Sequence, residues 1–366
     1  PGYIDVNIMT KLDKTNYDKQ GNELPVEFSD AVSALRGYAN SKLDSRIIFS
    51  AGFNRRLYAY IPNCPDFFPD ENGHVKKRII LKVSDYRSSL TQAKFLAKKG
   101  LWIDEHRIES GLNCGGHAFA TDGFLMGPIL EEFKEKKEQL YKDMLDLANT
   151  VLRDQNKHIL KEPEMRITVQ GGIGTASEDT FLLNHYDIDG TGWATPFLLV
   201  PEVTVLDDKT RELLKDSGES DFFLSEYSPL GVPFNTVKNT ASDALKVERA
   251  KTKPGSPCPK GHLVNNMEFT KKPICTASAT YMRLKIKQLK ELALSSVDYA
   301  KQYEKILKKS CLCEDLAASS LITNGIDNKR DIATAVCPGP NMAYFDKIST
   351  LKEMAEHIYG KLNLLN

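Results

Sequence analysis

Through roughly the first two hundred positions, short runs of β-branched and apolar residues alternate with longer stretches whose apolar positions recur every three or four residues. That alternation is the pattern of repeated βα units, in which parallel strands are buried on both faces. The runs at 3–9, 46–51, 78–84, 102–110, 165–170 and 188–193 predict strands, and the stretches at 28–40, 87–99 and 128–158 predict helices. In the last of these, Leu130, Phe133, Leu140, Met144, Leu147 and Val151 share one face. Beyond about residue 205 the alternation stops. A polar stretch rich in Pro, Gly, Ser and Lys runs from Ser228 to Pro259, a long helix is expected near 280–308, and an amphipathic one at 348–363. The expected division is therefore an α/β domain over 1–205 and a mostly helical, cysteine-bearing region over 206–366 that serves as lid or interface.

Composition narrows the function classes. The chain has 366 residues, and its 49 basic and 49 acidic residues cancel. No global field draws in nucleic acid or an anionic membrane, so neither is an expected partner. There is no apolar run of membrane-spanning length and no basic segment followed by an apolar stretch at the start. Seven cysteines are too sparse for a disulfide scaffold, and their odd number leaves at least one without an intrachain partner, so a reducing cytoplasm is the expected compartment. The chain opens at Pro1 and enters the run Tyr3–Met9 almost at once.

Three segments place glycine where a strand should end: Ser110-Gly-Leu-Asn-Cys-Gly-Gly-His117, Thr168-Val-Gln-Gly-Gly-Ile-Gly174 and Asp189-Gly-Thr-Gly-Trp-Ala-Thr195. Glycine there allows close approach to the backbone and angles forbidden to other residues. In a closed parallel barrel the C-terminal strand ends form the active face, and phosphate is held after the last two strands by backbone N–H groups. Gly171, Gly172 and Ile173, followed by Thr195, read as such a phosphate cradle. Each glycine pair, taken singly, is more often a tight βα turn.

The ordered set of motifs resembles the nitronate monooxygenase family of FMN-dependent barrels, which also includes flavin enoyl-acyl-carrier-protein reductases. The resemblance covers about residues 1–205 and rests on Val6-Asn-Ile8, Asn113-Cys-Gly-Gly-His117, Gln170-Gly-Gly-Ile173 and Ala194-Thr-Pro-Phe197. It implies a (β/α)8 TIM barrel whose first two strands are absent from this chain, supplied by a second chain or lost, with the helical C-terminal region appended. It implies FMN, its phosphate on the backbone of Gly171, Gly172, Ile173, Ala194 and Thr195, with Asn7, Gly115 and Gly116 against the ring system. His117 then stands beside the flavin as base or orienting donor. Ala194 replaces the family's usual glycine, and Cys114 a common alanine. The implied activity is oxidation of a small nitronate or other acidic-carbon substrate with O2. The alternatives are an NAD(P)H-dependent enoyl-thioester reductase and a non-catalytic scaffold with a degenerate barrel.

The remaining chemistry is less ordered. Asp104, Glu105, His106 and Glu109 read most simply as charges at a solvated strand start, and Lys82 as a surface lysine or a partner of a flavin carbonyl. Cys258, Cys275, Cys311 and Cys313 offer soft ligands in no recognised metal-binding spacing, so the sequence leaves open whether they hold metal or are small buried hydrophobes.

Overall fold

The computed structural model describes residues 5–8, 13–50, 52–111, 113–118, 125–258, 260–326 and 332–366. Strands are formed by Val6–Ile8 (β1), Ser45–Phe49 (β2), Lys77–Val83 (β3), Glu105–Glu109 (β4), Gly116–His117 (β5), Arg166–Gln170 (β6), Gly190–Gly192 (β7), Phe222–Ser225 (β8) and Phe234–Val237 (β9). Six of them build a parallel sheet in the order β1-β2-β3-β4-β6-β7, and the other three an antiparallel sheet in the order β5-β9-β8. The parallel sheet follows chain order apart from the omission of β5, which is the order successive strands take in a βα barrel. All six sequence-predicted strands are present; β3 keeps the length of its run, displaced by one residue, and the other five are shorter than theirs. Among the described residues β1 and β7 end the sheet with one neighbour each, so six parallel strands stand side by side without closing.

By compactness the chain falls into two units, one of residues 1–110, 123–170 and 180–192, the other of 111–122, 171–179 and 193–366. A single cut at 205 therefore does not describe the grouping: the glycine-bearing segments after β4, β6 and β7 belong with the C-terminal region.

In the first unit, Ile79, Ile80 and Leu81 are consecutive and all buried, as a strand covered on both faces requires. Covering helices are α1 (Asp30–Ala39), α2 (Arg55–Tyr60), α3 (Tyr86–Ala97) and α4 (Met126–Asp154), with α5 (Ala176–Tyr186) following β6. Asp85 starts α3 by accepting from the Ser88 N–H. The buried stripe of α4 runs Leu130, Phe133, Leu140, Met144, Ala148, Leu152. Its second half has shifted one residue from the predicted Leu147 and Val151, because the stripe advances by four.

In the second unit lie α6 (Asp208–Asp216), α7 (Ala241–Thr252), α8 (Ala279–Glu291), α9 (Ser296–Leu307), α10 (Leu312–Asp315), α11 (Ala318–Thr323) and α12 (Leu351–Ile358). The single helix expected over 280–308 is two, since Ser295 caps a fresh start by accepting from the Asp298 N–H. The expectation of a mostly helical tail also missed β8 and β9, which pair with the Gly116-His117 strand. A core joins Leu199, Val200, Leu206 and Leu214 to Val237, Val336, Met342, Phe345, Met354 and Leu364.

Candidate cofactor site

In the first unit, the ionisable run on β4 is buried rather than solvated. Asp104 takes an ion pair from Arg46 at 2.5 Å, and Glu105 accepts from Thr168 Oγ1 and Arg107. His106 is enclosed, its Nδ1 2.7 Å from Ser89 Oγ, and burial pushes its pKa down to about 4. The expectation of a solvated strand start therefore fails, because β4 is a central strand and its polar groups are satisfied by neighbouring elements. At the carboxyl ends of β3, β4 and β6, Glu109 Oε1 accepts from Gln170 Nε2 at 2.9 Å and stands 3.4 Å from Lys82 Nζ. Lys82 is thus a partner of Glu109, not a free surface lysine. Asn7 is exposed on β1 in this same unit.

The other eight predicted site residues belong to the second unit. Gly171 and Gly172 take φ of 102° and 81°, the left-handed region where a side chain is strained. A Cβ on Gly172 would also stand 2.6 Å from the Asn113 Cβ. A Cβ on Gly115 would meet the Cys337 carbonyl at 1.9 Å. At both glycines the close approach is made by protein atoms, where the sequence had suggested a ligand. Gly339 in turn approaches Asn113 O and donates its N–H to Thr195 Oγ1 at 2.9 Å. Asn341 Nδ2 donates to Ile173 O, and His357 Nε2 donates to Gly174 O at 2.9 Å. The Cys337–Asn341 segment therefore draws together the ends of all three glycine motifs. None of the sequence-predicted site residues lies in this segment; the run Cys337-Pro-Gly-Pro-Asn341 is its local signal.

What the cradle leaves unpaired is informative. Among the described residues, the N–H groups of Gly171, Gly172, Ile173, Ala194 and Thr195 donate to no backbone or side-chain acceptor. The next two, Gly174 and Thr175, both donate to the Glu178 carboxylate at 2.9 Å. The start of α5 thus carries its own anion, while five donors on the two loops before and after it do not. Asn341 Oδ1 is buried without a partner, an acceptor lacking its donor. Ala194 has φ −128°, an angle open to alanine, so the methyl in place of glycine imposes no backbone strain.

His117 pairs through Nε2 with Ser228 Oγ at 2.7 Å and lies edge-on to Phe234, 5.0 Å between centroids. Ser228 is fully buried and its Oγ also accepts from the Leu230 N–H. The strand pairing of Gly116-His117 with Phe234-Asn235 fixes this geometry. Gly116 is itself buried with φ 77°. Ser228, in the region expected to serve as lid or interface, thus supplies the partner of the histidine.

A crystal structure of the enoyl reductase domain of MlnA from the macrolactin biosynthesis cluster of Bacillus amyloliquefaciens matches at TM-score 0.50 and 15% identity, covering 98% of this chain and 80% of that one. The fold is shared. FabK from Thermotoga maritima matches at TM-score 0.40 and 14% identity, over 90% of this chain and 79% of that one. No protein-family model matches the chain, and no curated protein matches it in sequence. Among the described residues no helix is long and apolar enough to cross a membrane.

Proposed function

We propose that the chain is an FMN-dependent oxidoreductase whose favoured chemistry is NAD(P)H-driven reduction of an enoyl thioester. The observation that carries the flavin is the set of five unpaired backbone donors at Gly171, Gly172, Ile173, Ala194 and Thr195, which suits a phosphate dianion. Asn341 Oδ1 suits a hydroxyl of the attached polyol chain. The enoyl chemistry is favoured over the nitronate chemistry by the likeness to an enoyl reductase domain along nearly the whole chain. Nitronate oxidation with O2 is the second reading, supported by the motif Asn113-Cys-Gly-Gly-His117. Gly115 and Gly116, in the same unit as those donors, remain the proposed ring contacts.

The bound flavin would supply hydride transfer; the protein's part is position and proton handling. Ser228 Oγ can accept from a protonated Nε2 or donate to a bare one, so the His117 pair tolerates both protonation states. His117 would deliver a proton to the α-carbon of an enoyl thioester, or hydrogen-bond the oxygens of a nitronate. Cys337 is not a nucleophile in this scheme: burial lifts its thiol to about 11.

The test is the purified full chain. A flavin absorption spectrum, FMN released on denaturation, and bleaching by NAD(P)H with reoxidation by an enoyl thioester are expected. Bleaching by a nitronate alone would instead select the second reading. A colourless protein that takes up no added FMN would leave the scaffold alternative standing. His117→Ala should keep FMN and lose about 10²- to 10³-fold in kcat; full turnover would remove the histidine from the chemistry.

A further inference from the structure

The imidazole of His357, on α12, is enclosed, with 3% of the residue exposed, and both ring nitrogens are engaged. Nε2 stands 2.9 Å from Gly174 O, and Nδ1 stands 3.1 Å from the Leu364 N. These partners fix the tautomer. A carbonyl oxygen only accepts and a backbone N–H only donates, so the proton sits on Nε2 and Nδ1 is bare. The ring also lies edge-on to Trp193 and to Phe345, 6.0 Å and 5.5 Å between centroids. The helix that carries it is anchored along its length. The Thr350–Glu353 capping box fixes the start, and Met354 and Leu364 share a core with Leu199 and Val200. Past its end Gly360, at φ 72°, comes so near α5 that a Cβ there would stand 3.2 Å from the Ala176 Cβ.

Gly174 and Trp193 are the residues next to the unpaired donors: Gly174 follows Ile173, and Trp193 precedes Ala194. One side chain therefore touches both loops of the cradle, and all of these residues belong to the second unit. The two peptide planes that follow the first donors are each held at both ends. Between Ile173 and Gly174 the carbonyl takes the Asn341 amide and the N–H goes to Glu178. Between Gly174 and Thr175 the carbonyl takes His357 and the N–H again goes to Glu178. A planar peptide unit gripped by both its oxygen and its nitrogen is held against rotation, so the free amides before it keep one direction although two of them belong to glycine. We propose that His357 is a positioning residue for the phosphate of the cofactor. Its Nε2–H, through Gly174, and its ring, through Trp193, hold the two donor loops at the spacing that lets both grip one phosphate. This rests on the flavin reading, in which that phosphate belongs to FMN. His357 acts through the loops and not by contact, and donors fixed before binding cost no ordering when the ligand arrives.

Two substitutions in the full chain divide the two bonds. In His357→Asn the side-chain oxygen falls where Nδ1 stands and keeps the Leu364 N–H, but nothing reaches Gly174. In His357→Gln the amide reaches as far as Nε2 and keeps the bond to Gly174 O, while the partner of Leu364 is lost. Fluorescence titration should show FMN binding weakened about 5- to 10-fold by His357→Asn, the loss of one supporting hydrogen bond, and unchanged by His357→Gln. Riboflavin, which has no phosphate to grip, should bind the wild-type chain and His357→Asn alike. In the flavin-free chain, hydrogen exchange at 171–175 should quicken in His357→Asn and not in His357→Gln. Equal FMN affinity in the two variants, or equal losses of FMN and riboflavin in His357→Asn, would overturn the proposal by leaving the histidine a packing role alone. A wild-type chain that takes up no FMN, while exchange at 171–175 still separates the variants, would end the flavin reading and uphold the hold of His357 on the loops. Should neither variant fold, nitrogen-15 spectra of the wild-type imidazole decide. The Nε2–H tautomer is expected, and an Nδ1–H tautomer would overturn the proposal, since Gly174 O would then have no donor.

Discussion

His106 shows how one buried group sets a pH dependence. Its pKa falls from 6.5 to about 4 because burial disfavours the imidazolium. The unfolded chain then binds the extra proton between those values. The stability contribution is fully present above pH 6.5 and is lost as pH falls toward 4, at about 1.4 kcal/mol per pH unit and roughly 3 kcal/mol in all. His106→Asn, which keeps an acceptor for Ser89, should lower stability at neutral pH yet flatten this slope; denaturant titrations between pH 7 and 4 would show it. At the cradle, Asn341→Ala removes the bond that holds Ile173 O. Loss of one supporting hydrogen bond is worth about 1 kcal/mol, so FMN affinity should weaken by about 5- to 10-fold, read by fluorescence titration.

On the scale of elements, the C-terminal segment changes role. As a lid, its removal after Asp208 should alter substrate range more than flavin content. The packing predicts otherwise: Gly339 and Asn341 bond the cradle directly, and Phe345, Met354 and Leu364 share a core with Leu199 and Val200, which closely follow Thr195. Truncation after Asp208 is therefore expected to abolish FMN retention. A milder probe is Met354→Ala in α12, whose capping box of Thr350 and Glu353 keeps the helix start formed. Burying no methionine there should cost about 2–5 kcal/mol, measured by chemical denaturation.

For the whole molecule, the two compact units make distinct predictions. If FMN is held by the second unit, saturating it at about 100 times Kd adds roughly 2.7 kcal/mol to that unit's opening. Hydrogen exchange should then slow at 171–173, 194–195 and 337–341 when FMN is added, while β2 and β3 change little. Uniform slowing, or none, would speak against the assigned donors.

The sequence by itself determined the local elements and the chemistry on offer. Strand runs such as Arg78–Val83 and the stripe from Leu130 to Met144 are legible because burial periodicity is written residue by residue. The glycines of Gly171-Gly172 were legible because their backbone angles exclude other residues. Which residues meet was decided only in three dimensions. Ser228 reaches His117 across 111 positions and Asn341 reaches Ile173 across 168, and nothing local in either segment encodes its partner. The burial of Asp104, Glu105 and His106 was hidden for the same reason: their polar appearance is offset by Arg46, Thr168 and Ser89, which only the packed sheet brings alongside.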